Sequence, residues 1–250
     1  MSINKKMVGF IFCASIVTLV FSLAATLSFK IVFCDVGQGA ATLLQMGTYQ
    51  ALIDTGPDAR VLSCIGKHIP FFDHAIETVI ISHNQKDHNG GLQALHIKYT
   101  IGHVYGPLPR PSFFRPDQYT EVSSPISLSY GKTAITISKA SQSSNINDSA
   151  NVVSIKTPHE TIFLTSDING VELKNILPPQ TTILEVPHHG SKYGLYPDSL
   201  DLALPTLAVI SVGKKNTYGH PSKEALAILK AKKIKIWRTD LQGELVVDLK

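Results

Sequence analysis

The stretch SHNQKDHNGG, Ser82 to Gly91, decides how this chain is read. It brings two imidazoles and a carboxylate, His83, His88 and Asp87, into one short loop. Neutral imidazole nitrogen and carboxylate oxygen suit zinc or a similar divalent ion. The loop follows ETVIIS (Glu77 to Ser82), a near-continuous apolar run expected of a strand covered on both faces. Gly90 and Gly91 let the backbone turn tightly and approach closely, and they open an expected helix over 92–97.

Histidines occur in many polar loops, so this stretch alone leaves a bland reading open. The other strand ends weigh against it. Asp54-Thr55-Gly56 follows one apolar run, and Asp167 in FLTSDIN follows another. His188-His189-Gly190-Ser191 follows a third, and SVGKKNTYGHPS places His220 after a fourth. Ligand-type residues at the ends of several strands can be delivered to a common rim.

The remaining pattern is that of short strands with few helices. Strands are expected at 29–34, 40–46, 50–53, 77–82, 133–139, 152–156, 161–165, 182–186, 207–212, 234–238 and 244–249. An amphipathic helix is expected over 222–231, with Ser222 as its N-cap. Such an order suggests an α/β sandwich of two mixed sheets with outer helices. No short-period repeat and no linker interrupts it.

The bulk numbers agree with one globular domain. The chain has 250 residues, 44% apolar and 17% charged, which excludes disordered and fibrous classes. A net charge of +4 permits an anionic substrate without demanding one. Lys214-Lys215 and the group Lys230, Lys232, Lys233 and Lys235 are short clusters, and the second reads as a solvated helix end. Cys13, Cys34 and Cys64 show no CxxC spacing, so neither a disulfide framework nor a cysteine zinc site is expected. Cys34 and Cys64 read as small buried hydrophobes, with a disulfide between them as the alternative in an oxidising compartment. Lys5-Lys6 followed by the uncharged run Met7 to Phe29 fits a signal peptide or a membrane anchor. Residues 1–28 are expected to form that segment and 29–250 the domain, which would face the periplasm or exterior.

The ordered runs CDVGQGAATLL, LIDTGP, SHNQKDHNGG, NVVSI, FLTSDIN, EVPHHGSK, AVISVGKKNTYGHPS and RTDLQGEL resemble the metallo-β-lactamase-fold domain at the C-terminal end of ComEC, the family of bacterial DNA-internalisation competence proteins. The resemblance covers the chain from about Phe29 onward. It implies an αββα sandwich with a metal site at one sheet edge, and hydrolysis of a phosphodiester, proposed to be the DNA strand that is not taken up. By position, it implies His83, Gln85, Asp87, His88, Asp167 and His188 around one or two divalent ions, zinc or manganese, with magnesium also suited. Asp87 and His220 take the catalytic roles. Asp54 would orient a ligand, while His189, Ser191, Lys192, Lys214 and Asn216 would support the site or touch substrate.

Two positions depart from the family pattern. Gln85 stands where a carboxylate or imidazole is expected, and Ala40 follows GQG where many relatives carry Asp. A neutral amide oxygen is a poor zinc ligand. The expected function is therefore an exported metal-dependent phosphodiesterase or nuclease acting on DNA. The alternative is a metal-poor module that binds nucleic acid without turnover. An antibiotic-degrading β-lactamase shares the fold, but fold alone does not give substrate, and GQG, HHGS and YGHPS point away from it. One apolar segment cannot form a DNA channel, so a separate membrane channel is an expected partner. The membrane itself is another, through residues 7–29 if they are not cleaved.

Overall fold

The computed structural model describes residues 29–203 and 205–249, and the expected signal or anchor segment lies outside them. The chain begins with β1 (Phe29–Phe33), β2 (Thr42–Met46) and β3 (Tyr49–Ile53), then α1 (Val61–His68) and β4 (Ala75–Ile80). Next come α2 (Lys86–Asn89), α3 (Leu92–Lys98), β5 (Thr100–Gly106) and β6 (Tyr119–Glu121). A second run follows: β7 (Ile126–Tyr130), β8 (Thr133–Lys139), β9 (Asn151–Lys156), β10 (Thr161–Leu164), α4 (Gly170–Ile176), β11 (Ile183–Glu185) and β12 (Leu207–Ile210). The chain closes with α5 (Lys223–Ala231), β13 (Lys235–Arg238), α6 (Thr239–Gln242) and β14 (Leu245–Asp248).

These strands form two seven-stranded sheets, ordered β14-β1-β2-β3-β4-β5-β6 and β13-β12-β11-β10-β9-β8-β7. Each is half antiparallel and half parallel. The parallel ladders are β3 to β6 in the first sheet and β10 to β13 in the second. The last strand leaves the second run and pairs with β1, the first strand among the described residues, Lys30 opposite Asp248.

Side-chain alternation builds the layers. Ile31 and Phe33 point into the cluster between the sheets, with Leu44, Ile53, Ile80, Ile137, Val153 and Leu164. Val32, Leu43, Leu52 and Val79 point the other way and pack against Val61, Ile65 and Leu95 of α1 and α3. On the far side of the second sheet, Ala208 and Ile210 pack against Leu173 of α4 and Ala225 and Leu229 of α5. The order is therefore helix, sheet, sheet, helix, and both faces of the central strands are covered. That is why these strands read as continuous apolar runs.

Among the described residues, four helices are not expected from sequence: α1, α2, α4 and α6. Helix α1 is short and contains Gly66, yet Val61, Cys64 and Ile65 make a buried i, i+3, i+4 stripe. Helix α4 begins on Gly170 and is started by Asn169, whose side chain accepts from Val171 and Glu172 N–H. Among the described residues no helix is long and apolar enough to cross a membrane. Cys34 and Cys64 are buried as expected, but they are joined in a disulfide with 5.8 Å between Cα atoms.

Candidate metal centre

Every group of the centre lies in a segment that follows a strand of a parallel ladder, with Asp87 and His88 on α2 after β4. Asp54 follows β3, His83 follows β4, Asp167 follows β10, and His188 and His189 follow β11. The carboxyl ends of parallel strands lie at one edge, which is where α/β sheets collect their sites. Asn151 joins the two sheets there: its N–H donates to Ser82 O and its Nδ2 to Ile81 O, both at 2.9 Å.

The ligand atoms of Asp87, His88, Asp167 and His189 all lie within 4.8 Å of one another. Asp167 is the hub, 2% exposed, and its two oxygens face two sets of imidazoles. Oδ1 approaches His88 Nε2 at 3.1 Å and His189 Nε2 at 3.5 Å. Oδ2 approaches His188 Nε2 at 3.8 Å and His83 Nε2 at 4.0 Å. Asp87 Oδ2 stands 3.4 Å from His189 Nε2. His83, His88 and His189 Nε2 and Asp167 Oδ1 are buried yet make no hydrogen bond, for even the 3.1 Å approach lacks the alignment of one. Buried polar atoms without partners are costly, and here they share one small volume.

The other ring nitrogens are tied down. His88 Nδ1 meets Asp54 Oδ2 at 2.7 Å, and Asp54 also accepts from Ser82 N–H and Oγ–H, both at 2.8 Å. His189 Nδ1 donates to Ser211 O at 2.7 Å. His83 Nδ1 is within 2.9 Å of Ser82 Oγ and 3.2 Å of Ser166 Oγ. Anchoring Nδ1 turns each Nε2 lone pair inward, the usual arrangement around a metal-ligating histidine. Nitrogen and oxygen donors held this way fit a divalent ion such as zinc or manganese.

Backbone strain collects at the same edge. Asp54, Ser166, His188 and His189 have φ of 56°, 53°, 52° and 55°. Positive φ is uncommon for non-glycine residues and clusters at functional sites. Gly39, at φ 140°, leaves space that a Cβ would take from Asp87 O, and Ala40 N–H donates to that same oxygen at 3.1 Å. Gly90 and Gly91 have ordinary helical φ. Of the two uses expected from sequence, they serve the close approach, to the Pro57 and Thr55 carbonyls, and not the tight turn.

The electrostatics follow from burial and these contacts. Burial pulls the His88 imidazolium down, but Asp167 and Asp54 overcome it and raise its pKa well above 6.5. His189 is raised in the same way by Asp167 and Asp87 against burial. Burial and the neighbouring His88 charge push His83 down to about 4. Burial opposes ionisation of Asp167 and Asp87, yet the imidazoles hold both below the usual carboxylate range. Glu185 is the buried exception, raised to about 7 by burial and the nearby Asp54 charge.

The expected residues are sorted by this geometry. His83, Asp87, His88, Asp167 and His188 gather at the centre, with Asp54 behind His88. His189, expected only as a neighbour, lies in the four-donor group, while His188 is 35% exposed at its mouth. The left-handed turn at both histidines sends the second one inward. Gln85 Nε2 donates to Asn147 Oδ1 at 2.6 Å, and Gln85 lies within reach of His83. His220 stands outside the donor group, 5.8 Å from the His188 ring and stacked on Tyr218. Ser191 is buried and its Oγ accepts from Tyr193 N–H. Asn216 clamps its own loop, donating to the Gly213 and His220 carbonyls and accepting from His220 N–H. Lys192 lies over the Tyr193 ring.

Two features of the site are not read from sequence. Glu185 hides inside an apolar strand, and only its place in EVPHHG signals it. The second is a cleft beside Asp87 of about 310 Å³, lined by Gln38, Arg60, Lys86, Lys215 and Tyr218. A further cavity of about 510 Å³ shares Gln38, Arg60 and Lys215 with it and adds Lys214. The cleft draws on loops far apart in sequence, joined where Gly213 N–H donates to Gln38 Oε1 at 3.1 Å.

No family model matches the chain. Competence protein ComA of Neisseria gonorrhoeae is 26% identical over 222 residues, covering 84% of this chain and 31% of that protein. ComE operon protein 3 of Bacillus subtilis is 34% identical over 101 residues, covering 39% of this chain and 13% of that protein. The chain thus spans less than a third of the length of these relatives. Among solved structures, the metallo-β-lactamase-fold protein YhfI of Bacillus subtilis superposes with a TM-score of 0.60 at 16% identity, covering 88% of this chain and all of that one. The described chain has the metallo-β-lactamase fold and resembles the ComEC-like competence proteins in sequence.

Proposed function

We propose that the chain is an exported metal-dependent phosphodiesterase that cleaves DNA strands during DNA uptake. The observation that carries the reading is the set of four buried, unpartnered atoms gathered at the Asp167 carboxylate: His83, His88 and His189 Nε2 and Asp167 Oδ1. His88, His189, Asp87 and Asp167 would hold one ion, and His83, His188 and the other Asp167 oxygen a second. A bound divalent ion lowers the pKa of water toward neutrality and polarises a phosphoryl oxygen.

The protein's own groups supply the rest. Asp87 stays ionised and is 27% exposed on the cleft, placed to accept a proton from water. Lys86, Lys215 and Arg60 line that cleft as cations for phosphate oxygens. Tyr218, stacked on His220 and 68% exposed, offers a ring face beside them. The Cys34–Cys64 disulfide and the run of Lys5-Lys6 before Met7–Phe29 both support a position outside the cytoplasm. DNA as substrate and a separate channel as partner are carried over from the ComEC resemblance of the sequence motifs.

The test is metal analysis of the purified chain, followed by assays on single- and double-stranded DNA with Mn²⁺, Mg²⁺ or Zn²⁺. Bound metal with cleavage that disappears in Asp87→Ala is the expected result. A chain that holds no ion and cleaves nothing in any condition overturns the reading. The second reading, a binding module without turnover, is favoured by Gln85 facing Asn147. It predicts DNA binding and at most one ion, without cleavage.

A further inference from the structure

A second group of ligand-type atoms lies on the outer helix layer. Cys64, in the middle of α1, and His68, one turn on, share a helix face. Glu244, just before β14, reaches the same spot. The ligand atoms of Cys64, His68 and Glu244 lie within 4.8 Å of one another. Cys34, directly after β1, is bonded to Cys64, so its sulfur is there too. None of these residues belongs to the Asp167 centre.

His68 Nε2 is buried and has no hydrogen-bond partner; Glu244 Oε1 is its neighbour at 3.4 Å without bonding geometry. The other carboxylate oxygen, Oε2, accepts from Lys67 Nζ at 3.1 Å. A cavity of about 360 Å³, lined by Cys64, Lys67, Asp35 and Glu244, gives access. A disulfide that served only as a crosslink does not account for an imidazole nitrogen left unpaired 3.4 Å from a carboxylate, in a group with a cysteine sulfur.

We propose that Cys34, Cys64, His68 and Glu244 form a redox-gated site for a thiophilic divalent ion. In the oxidised chain the disulfide closes the site. A dithiol reductant transfers two electrons and two protons to the disulfide, giving two thiols while the reductant becomes a disulfide itself. Ion binding then releases both thiol protons, and the two thiolates bind with His68 Nε2 and Glu244 Oε1. Sulfur, imidazole nitrogen and carboxylate oxygen are all zinc donors, and four of them is the number zinc takes in closed sites.

The probe is Co²⁺, whose thiolate charge-transfer absorption the sulfur-free Asp167 centre cannot produce. The full chain is titrated before and after reduction by dithiothreitol and removal of the reductant, with circular dichroism recorded throughout. The reduced chain should take up about one more ion per chain than the oxidised one and gain the thiolate band. Cys34→Ser should abolish the band, and His68→Ala should weaken cobalt binding by at least about tenfold. His68→Gln, which leaves both cysteines in place, is the check that folding is retained. The proposal is overturned by a reduced, folded chain that shows no thiolate band. It is equally overturned by unchanged affinity in both His68 variants, or by a reduced chain that loses its fold and does not regain it with the ion.

Discussion

On the Oδ1 side of Asp167, His88 and His189 are enclosed, and each has Nδ1 fixed, one by Asp54 and the other by Ser211. On the Oδ2 side, His83 is buried, but Gln85 is turned to Asn147, and His188 is partly open to solvent. The first side is a finished ligand pocket with a carboxylate, Asp87, at its rim. The second has imidazoles and no second acid. One carboxylate thus faces an enclosed pair of imidazoles and a more open pair, and a neutral residue at position 85 leaves the enclosed pair in place.

The largest expected effect removes what the two sides share. Asp167→Asn should lower metal affinity on both by more than about 10²-fold, beyond the 10–100-fold typical of lost outer partners. Ion content per chain measures this, and retention of either ion would show that the sides are independent. Next, Asp54→Ala frees the His88 ring and strips Ser82 of its acceptor, so it should cost about 10–100-fold in affinity on the Oδ1 side alone. Isothermal titration that finds the Oδ2 side weakened instead would reverse the comparison.

Gln85→Asp sharpens it from the other side. It should tighten binding of the ion on the Oδ2 side and increase cleavage on the order of tenfold, since neutralised phosphoryl charge is worth several kcal/mol at most. No gain in either measurement would mean that Gln85 is not the weak point.

The smallest effect concerns protons. In the metal-free chain, His88 and His189 have pKa values raised above 6.5, and Glu185 is raised to about 7. For the raised histidines, the stabilisation is complete below 6.5 and is lost as pH rises through their folded values. Glu185 keeps a proton that the unfolded chain releases above about 4.5, so it too loses stability toward 7. His83, lowered to about 4, acts oppositely but only below 6.5. From about pH 6.5 to 8 the metal-free Tm should therefore fall by a few degrees, at roughly 2–4 °C per kcal/mol for a chain of this size. Metal affinity should rise over the same range, because the ion displaces those protons. A metal-free Tm that climbs with pH would contradict the pairing of both histidines with Asp167.

Much of this was readable from residues. Apolar runs covered on both faces gave the strands, and the strand-end clusters gave the rim. What stayed hidden depends on orientation or long-range contact. Whether His188 or His189 faces inward is set by a left-handed turn that composition does not reveal. Glu185 looks like part of an apolar strand until Asp54 and His88 are placed beside it. Helices α1 and α4 are too short for periodicity to speak. Cys34 and Cys64 lie 30 positions apart, and only the packing of α1 on the first sheet brings them together.

The pairing of β1 with β14 has a consequence for how the molecule is made. Lys30 to Phe33 find their partners in Leu245 to Asp248, almost a full chain length later. During synthesis, β1 has an open edge on that flank until β14 emerges, and open edges invite wrong partners. Such a non-local closure is slow. Nascent chains should therefore depend on a holding factor until β14 arrives, and truncation before Leu245 should yield aggregation rather than a smaller working domain.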